Sequence, residues 1–316
     1  MSAWSYTNPY EWMERIASPE PLIITCCANG GIQGKESHPA IPETAEEIAD
    51  SVYEAYREGA AVVHIHGRDP SNLGETTMDP DVLYRINALI RERCPDIVIN
   101  NTTGGGPSST MEERIRSLDA RPEMASLNMG PDMSRFAIKA REEPLAHPRP
   151  SQNFDLCVPF TYGFIEQLAA GMLERGIVPE MEMYHSGQFW VAQQLISQGL
   201  VKPPYLFQFV MGYQTSTYPT PGNLIHLAGE LPAHAHFAVA GIGKYQRAMT
   251  TQSILLGGHV RVGLEDNLYL KKGRKLKDNA EAVAKIARIS RELNREVATP
   301  AEARRMLGVS SIPSRY

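Results

Sequence analysis

The chain has few of the features that mark secreted, membrane or nucleic-acid-binding proteins. It has only 4 cysteines in 316 residues, and none of them form a CxxC pair, which favours reduced thiols over a disulfide framework. No apolar run is long enough to span a bilayer. The N-terminal residues lack the basic and apolar regions of a secretory signal. The net charge of −5 gives no basic surface for nucleic acid or an anionic membrane. We therefore expect a cytoplasmic protein with small-molecule partners.

A further absence bears on the fold. No GxGxxG follows the first apolar run, which weighs against a doubly wound open sheet, although it does not exclude one. Short apolar runs alternate with helical patterns, which is typical of a parallel sheet. Eight such runs predict a single (β/α)₈ TIM barrel over residues 21–316, preceded by an N-terminal extension of residues 1–20. The predicted strands begin at Pro21, Ala60, Asp96, Glu123, Val178, Tyr205, Ala235 and His259.

The segments between these runs give two kinds of prediction. Thr44 and Glu47 have capping-box spacing, so a helix should begin there. Helical periodicity predicts further helices near residues 81–93, 164–175 and 279–293. The polar, proline-rich segment 131–152 shows no periodicity. We expect it to form a long loop after the fourth strand, on the face where such barrels carry their sites.

The stretch VVHIHGRDP places His64 and His66 one residue apart near the end of the second strand. Residues two apart in a strand share a face, so the two imidazoles should lie side by side. They form either a metal site, because neutral histidine is a common zinc ligand, or a pair of hydrogen-bonded core histidines. A second HxH pair, His234 and His236, precedes the seventh strand at the bottom of the barrel. We interpret that pair as structural or solvated.

The eighth strand, HVRVGLEDN, helps to distinguish a metal site from a pair of core histidines. Arg261 and Glu265 should face the barrel interior together, where charge is costly unless it is paired or bound to a metal. Glu265 could complete a His-His-carboxylate set with an open position, which is the pattern of catalytic zinc. Asp266 follows at the loop edge. A simple buried ion pair between Arg261 and either acid remains the alternative.

Other motifs bring polar groups to the same end of the barrel. Glu180 and Glu182 share a face of the fifth strand, where two inward carboxylates need a cation or a role unless the strand is displaced and solvated. Threonine hydroxyls beside consecutive glycines can hold a carboxylate, although a plain flexible turn fits the glycines as well. The remaining candidates are Thr102 and Thr103 in NTTGGG, Ser126 and Asn128 in SLNMG, and Lys244 in AGIGKYQ.

The motifs HIHGRDP, TTGGG, ASLNMG, PEMEMY and RVGLEDN occur in this order. In this combination the chain resembles the β-keto acid cleavage enzyme family, whose named type is 3-keto-5-aminohexanoate cleavage enzyme. The similarity extends from about Pro21 to Val309. It implies a zinc-dependent (β/α)₈ barrel that assembles as a homotetramer. It also implies condensation of a β-keto acid with acetyl-CoA, which releases acetoacetate and a new acyl-CoA.

The resemblance also implies roles for individual residues. A zinc ion would be bound by three ligands, a dyad would take a proton from C2 of the keto acid, and hydroxyls would hold the substrate. Threonine and serine exchange places relative to the type enzyme, so both hydroxyls are kept. The implied zinc ligands are His64, His66 and Glu265, the dyad is Arg261 and Asp266, and the substrate-binding hydroxyls are Thr102 or Thr103 and Ser126. Glu182, from its place on the fifth strand, is a further substrate-binding candidate.

One departure from the family pattern concerns the substrate. Family members that act on the amino-keto acid have an acid in a TGAE-like stretch after the first strand. Here that stretch is Asn29-Gly30-Gly31-Ile32, and the acid's place falls on Ile32. An apolar side chain cannot balance a buried ammonium. We therefore expect a neutral, apolar or differently charged β-keto acid, although Glu182 could still meet a cation.

Two other functions fit part of the pattern. A metal-dependent barrel hydrolase also uses HxH, but it usually has further histidines at later strand ends, and only His185 is available here. A binding or regulatory barrel with a structural zinc would need four closed ligands, and three can be counted.

Overall fold

The computed structural model describes residues 8–316, apart from the side chains of residues 12 and 15. Residues 1–7 of the predicted extension lie outside the described residues. The first helix, α1, covers Pro9–Ala17. Among the described residues, no helix combines the length and the apolar character needed to cross a membrane.

Eight parallel strands close into a barrel, as the apolar runs predict. The first of these strands pairs with the second on one side and with the eighth on the other, which closes the sheet. The doubly wound alternative is therefore excluded. The strands are β1 (Ile24–Cys27), β2 (Val62–Ile65), β3 (Val98–Asn101), β4 (Met124–Asn128), β5 (Val178–Met183), β6 (Tyr205–Met211), β7 (Ala235–Gly241) and β8 (His259–Val262).

Helices alternate with the barrel strands and pack their apolar faces on the outside of the sheet. The predicted capping box is present at the start of the helix after β1. The Thr44 side chain accepts a hydrogen bond from the backbone N–H of Glu47, and the Glu47 side chain accepts one from the backbone N–H of Thr44. The other three predicted helices are confirmed to within two residues at each end. The helices after α1 are α2 (Ala45–Arg57), α3 (Pro80–Arg93), α4 (Met111–Arg116), α5 (Tyr162–Arg175), α6 (Phe189–Ser197), α7 (Pro221–Gly229), α8 (Gln246–Leu255), α9 (Asn279–Glu292) and α10 (Pro300–Leu307).

The prediction of a long loop over residues 131–152 holds only for residues 139–151, because residues 132–138 form a strand. Asp132–Ile138 and Gln152–Val158 form an antiparallel hairpin above the end of β4, with Phe136 stacked on Phe154 at 5.1 Å between ring centroids. The reason is that its stabilising pairs are cross-strand contacts, which appear only when the two segments face each other. Two smaller hairpins, residues 67–77 and 269–275, also follow barrel strands.

The eighth strand is shorter than predicted. It ends at Val262, and Gly263 turns the chain with a φ of +149°. A Cβ at position 263 would lie 2.1 Å from the carbonyl oxygen of Cys27, so only glycine fits this approach. Glu265 and Asp266 therefore reach the barrel interior from a turn, not through strand alternation.

Candidate active site

The carboxyl ends of the barrel strands open into a cavity of about 1230 Å³. Side chains from β2, β5 and β8 form its floor, and the loops after β1, β3 and β7 form its sides. This is the end at which (β/α)₈ barrels carry their sites. Of the residues predicted from sequence, the cavity is lined by His64, His66, Thr102, Asn128, Glu182, Lys244, Arg261, Glu265 and Asp266.

Three possible metal ligands meet on the floor of the cavity. The Nε2 atoms of His64 and His66 lie 3.3 Å apart, and Glu265 Oε1 lies 3.4 Å from His66 Nε2. Glu265 Oε2 lies 3.8 Å from His64 Nε2. Within the described part of the chain this is the one group of three such side chains whose ligand atoms lie within 4.8 Å of one another.

The geometry of this group fits a zinc ion. Tetrahedral zinc with bonds of about 2.0–2.1 Å holds its ligand atoms about 3.3 Å apart, close to the separations found here. Burial lowers the pKa of His64 to about 3, so its imidazole is neutral at pH 7 and able to bind a metal. Glu265 Oε2 is buried without a hydrogen-bond partner. A bound cation would satisfy this oxygen.

The charge balance of the floor also favours a cation. Arg261 is buried, and it pairs with Glu182 at 3.0 Å, with Asp266 at 3.0 Å and with Glu265. One guanidinium thus faces three carboxyl groups. Burial raises the pKa of Glu182 to about 8, against the opposing effect of Arg261. Burial also acts to raise the pKa of Glu265, but Arg261 and the two histidines together lower it below its usual value. Arg261 therefore does not form a simple ion pair with one acid alone.

Hydrogen bonds from two side chains orient the Asp266 carboxylate. Arg261 donates to both of its oxygens, from Nε at 3.1 Å and from Nη2 at 3.0 Å. Cys27 donates from Sγ to Oδ2 at 3.1 Å. Burial raises the pKa of Asp266 above its usual value, although Arg261 and the thiol oppose this shift. A buried carboxylate with a raised pKa is suited to accepting and returning a proton.

Sequence reasoning missed Cys27 as part of this site. A signal for it existed, because a closed barrel places β1 beside β8, and the pairing of Cys26 with Val262 brings the next residue, Cys27, to the turn that contains Asp266. The other described cysteines form no disulfide, as expected.

The candidate hydroxyls separate into two positions. Thr102 lines the cavity, and its Oγ1 accepts from the backbone N–H of Gly104 at 3.0 Å. Thr103 and Ser126 are buried behind the wall and bond each other. Thr103 Oγ1 donates to the Ser126 carbonyl at 2.6 Å, and Ser126 Oγ accepts from the Thr103 backbone at 3.0 Å.

The two acids of β5 also differ. Glu182 lines the cavity and pairs with Arg261, whereas Glu180 lies deeper and accepts from Asn100 Nδ2 at 2.6 Å. Burial raises the pKa of Glu180. Both acids are buried in the barrel, so the alternative of a displaced, solvated fifth strand is excluded.

The mouth of the cavity has a different character from its floor. Lys244 and Arg247 follow β7, and Lys271 and Lys272 lie in the hairpin after β8. Beneath them the cavity has an apolar side, which is formed by Leu268, Leu270, Leu276 and Ile286. The mouth is therefore cationic although the whole chain has a net charge of −5.

Comparison with known proteins assigns the chain to a family. The sequence profile of the β-keto acid cleavage enzymes matches residues 21–309, the extent that the motifs predict. The chain belongs to the β-keto acid cleavage enzyme family. The predicted enzyme class, an acyltransferase of this type, is thereby confirmed. His185, the extra histidine that a barrel hydrolase would use, is exposed and lies outside the ligand group.

Characterised relatives match over almost their full length. The chain is 36 % identical to the 3-keto-5-aminohexanoate cleavage enzyme of Fusobacterium nucleatum, over 92 % of this chain and 98 % of that protein. It is 34 % identical to the 3,5-dioxohexanoate:acetyl-CoA acetone transferase of Paraburkholderia graminis, over 92 % and 97 %. It is 30 % identical to the 3-dehydrocarnitine:acetyl-CoA trimethylamine transferase of Rhizobium meliloti, over 90 % and 96 %.

A solved structure supports the fold. The binary complex of ObcA with oxaloacetate superposes with a TM-score of 0.70 at 20 % identity, over 86 % of this chain. The match covers 68 % of the ObcA chain, so this chain spans about two thirds of that protein.

Proposed function

We propose that this enzyme condenses a β-keto acid with acetyl-CoA and releases acetoacetate and a new acyl-CoA, with zinc bound by His64, His66 and Glu265. The observation that carries this proposal is the Arg261–Asp266 pair, which lies directly beside the three ligand atoms on one cavity floor. A proton acceptor next to a Lewis-acid site is what enolate chemistry requires. The printed names of several relatives include acetyl-CoA as the second substrate.

The first half of the reaction forms a carbon–carbon bond. Asp266 takes a proton from C2 of the β-keto acid, and its bidentate bond to Arg261 keeps the carboxylate oriented toward the substrate. When bound, zinc would supply Lewis-acid stabilisation of negative charge on the substrate oxygens. The enolate carbon attacks the acetyl carbonyl, and CoA leaves as a thiolate. Thr102 would hold the substrate carboxylate through its hydroxyl.

The second half breaks the original bond. The CoA thiolate attacks C3 of the starting keto acid, and the bond between C2 and C3 breaks. The carbanion at C2 recovers the proton from Asp266 and leaves as acetoacetate, while the remaining acyl group leaves on CoA. One proton is borrowed and returned, and no redox cofactor is needed. Thr103 and Ser126, bonded to each other, would fix the position of Thr102.

The size and charge of the cavity support a large anionic co-substrate. A volume of about 1230 Å³ far exceeds what a short keto acid fills. CoA combines phosphates with a less polar arm. We propose that its phosphates lie near Lys244, Arg247, Lys271 and Lys272, and that its arm follows the apolar side of the cavity.

The substrate tail should be neutral or apolar. Ile32 lines the cavity. It stands where, by the resemblance, the family members that act on the amino-keto acid have an acid. Glu182, the other candidate partner for a cation, is engaged by Arg261 Nη1 at 3.0 Å. An ammonium beside Ile32 would lose hydration against an apolar side chain.

A substrate panel tests this function. Purified enzyme is incubated with acetyl-CoA and matched β-keto acids, 3-oxohexanoate and 3-keto-5-aminohexanoate among them, and the new acyl-CoA is measured by chromatography. We expect turnover that is lost on chelation, restored by zinc, and faster with the neutral acid. A preference for 3-keto-5-aminohexanoate would overturn the substrate proposal. Absence of a new acyl-CoA with every β-keto acid would overturn the proposed reaction.

The remaining features follow from the resemblance. We also propose a cytoplasmic homotetramer in which residues 21–316 form the catalytic domain and residues 1–20 an extension. Exposed apolar side chains support assembly, since Trp190 is 78 % and Tyr218 81 % exposed in the single chain. Light scattering on a sizing column would measure the mass, and the mass of one chain would contradict the tetramer.

A further inference from the structure

The metal-ligand motif HIHGRDP contains an arginine that the reaction does not use. Arg68 is 3 % exposed, and its Nη2 donates to the carbonyl oxygens of Gly30 at 3.0 Å and of Gln33 at 2.5 Å. These two carbonyls lie at the two ends of a short loop after β1, residues 30–33, which we call the substrate loop. All four of its residues line the cavity, and Ile32 is one of them.

The substrate loop lies directly against two of the proposed metal ligands. A Cβ on Gly30 would lie 2.6 Å from Cγ of Glu265, and a Cβ on Gly31 would lie 2.9 Å from Nδ1 of His66. Only glycines allow the backbone to approach this closely. Gln33 Nε2 adds bonds to the backbone oxygens of Leu264 and Glu265, at 3.2 and 3.3 Å. A displacement of the loop would therefore disturb the ligands as well as the position of Ile32.

Arg68 belongs to a buried charge cluster that fixes this loop from below. Glu36 and Glu43, just after the loop, oppose the lowering of the Arg68 pKa by burial. Arg141 pairs with Glu43 through two bonds of 2.7 and 2.8 Å and with Glu36 at 3.1 Å. Arg149 pairs with Glu36 at 3.1 Å. Both of these arginines belong to the connection of the 132–158 hairpin, so the cluster joins two sides of the cavity.

We propose that Arg68 is a positioning residue that holds the substrate loop on the metal site and thereby sets which β-keto acid tails are accepted. The proposal rests on the proposed function for the identity of the substrate. Two backbone carbonyls bound by one buried guanidinium leave the loop little freedom, so Ile32 is presented at a fixed depth. Without Arg68 the carbonyls of Gly30 and Gln33 would need hydrogen bonds from water, and the loop would move away from His66 and Glu265.

The test compares Arg68→Met with a matched variant at the other end of the barrel. Arg304 is also buried, and it donates to the backbone carbonyls of Asp96, Ile97 and Ser310 and pairs with Glu123. Arg304→Met should therefore lose at least as much stability as Arg68→Met without touching the cavity. The two readouts are the ratio of kcat/KM for 3-oxohexanoate to that for 3-keto-5-aminohexanoate, and hydrogen exchange of residues 30–35.

We expect Arg68→Met to lower kcat/KM for the neutral acid by about tenfold to a hundredfold, as misplacement near a reacting centre does. The ratio between the two acids should fall, and exchange of the loop amides should rise. Arg68→Lys should restore part of the ratio, because its ammonium can donate to the same carbonyls. Arg304→Met should leave the ratio and loop exchange at the wild-type values. Arg68→Gln, which is shorter and uncharged, is the second variant should the methionine variant not fold.

An unchanged ratio and unchanged loop exchange in a folded Arg68 variant would overturn the proposal, as would an equal change in Arg304→Met. Hydrogen exchange of the loop does not depend on turnover. A wild-type enzyme without acyl transfer would therefore contradict the proposed function, while the exchange of the loop would still decide whether Arg68 holds it.

Discussion

The chain contains the HxH motif twice, at opposite ends of the same barrel, and the two pairs have different surroundings. His64 and His66 are buried at the carboxyl end of β2 with Glu265 within 3.8 Å of both. At the amino end of β7, His234 is exposed, and His236 stacks on His259 at 5.5 Å between ring centroids. Spacing alone therefore does not define a metal site. The position in the barrel and the third ligand do.

Buried arginine–carboxylate clusters at the two ends differ in the same way. At the amino end, Glu123 accepts from Arg91 and Arg304 and from the backbone of Ile99 and Ser314, so both its oxygens are satisfied. At the carboxyl end, Arg261 faces three carboxyl groups, and Glu265 Oε2 has no partner. The first cluster is complete by itself and serves stability. The second has a buried carboxylate oxygen that a bound cation would satisfy, which is consistent with the proposed metal site.

The largest expected effect separates the two histidine pairs. His64→Ala should lose bound zinc and acyl transfer together, because removing one of three ligands leaves an incomplete site. The double variant His234→Ala/His236→Ala should keep about one zinc per chain and full turnover. Metal analysis after dialysis, together with the acyl-CoA assay, measures both. Zinc retained in His64→Ala at the wild-type level would show that His64 is not a zinc ligand.

The next effect separates the two charged clusters. Asp266→Asn cannot accept the C2 proton, so kcat should fall by about 10²–10⁴-fold while zinc stays bound. Glu123→Gln should leave kcat near the wild-type value but lower the free energy of unfolding by about 3–5 kcal/mol, because buried Arg304 and partly buried Arg91 lose their charged partner. Steady-state kinetics and urea unfolding distinguish the two. A large loss of kcat in a folded Glu123→Gln would show that the amino end also serves catalysis.

A third effect concerns the cavity mouth and its floor. Replacing Lys271 and Lys272 together with glutamate should raise the KM for acetyl-CoA by about tenfold and leave the KM for the keto acid unchanged. Because the contact is electrostatic and exposed, added salt should reduce the difference. Lys277→Glu is the matched control, since Lys277 is exposed and does not line the cavity. An equal rise in KM for both substrates would contradict the assignment of the mouth to CoA.

The smallest effect concerns the Cys27 thiol and has a defined sign with pH. Asp266 must be ionised to act, so kcat/KM should fall as the pH drops through its pKa. The bond from Cys27 lowers that pKa, so Cys27→Ala should move the acid limb to higher pH, by about half to one unit. Cys27→Ser keeps a donor and should move it less. A limb that shifts to lower pH in Cys27→Ala would contradict the hydrogen bond's role.

Much of this organisation could be predicted from sequence, and the exceptions have physical causes. The eight strands were predictable because each is a short apolar run covered by helices. His64, His66, Arg261, Glu265 and Asp266 were predictable because buried charge and imidazole at strand ends need partners. The 132–158 hairpin was missed because its stability comes from cross-strand pairs. The contacts of Cys27 and Arg68 were missed because they join residues far apart in the chain. Closure of the barrel brings Cys27 to Asp266, and the pairing of β1 with β2 brings Arg68 to the loop after β1.

The fate of the acetyl carbons tests the central claim most directly. Wild-type enzyme is given 3-oxohexanoate and acetyl-CoA labelled with ¹³C in both acetyl carbons, and the products are analysed by NMR. We expect label in the methyl and ketone carbons of acetoacetate and an unlabelled acyl group on CoA, because the enolate takes the acetyl group and the remaining acyl group takes the thiol. Labelled acetate, or label that remains on CoA while the keto acid is consumed, would contradict that claim.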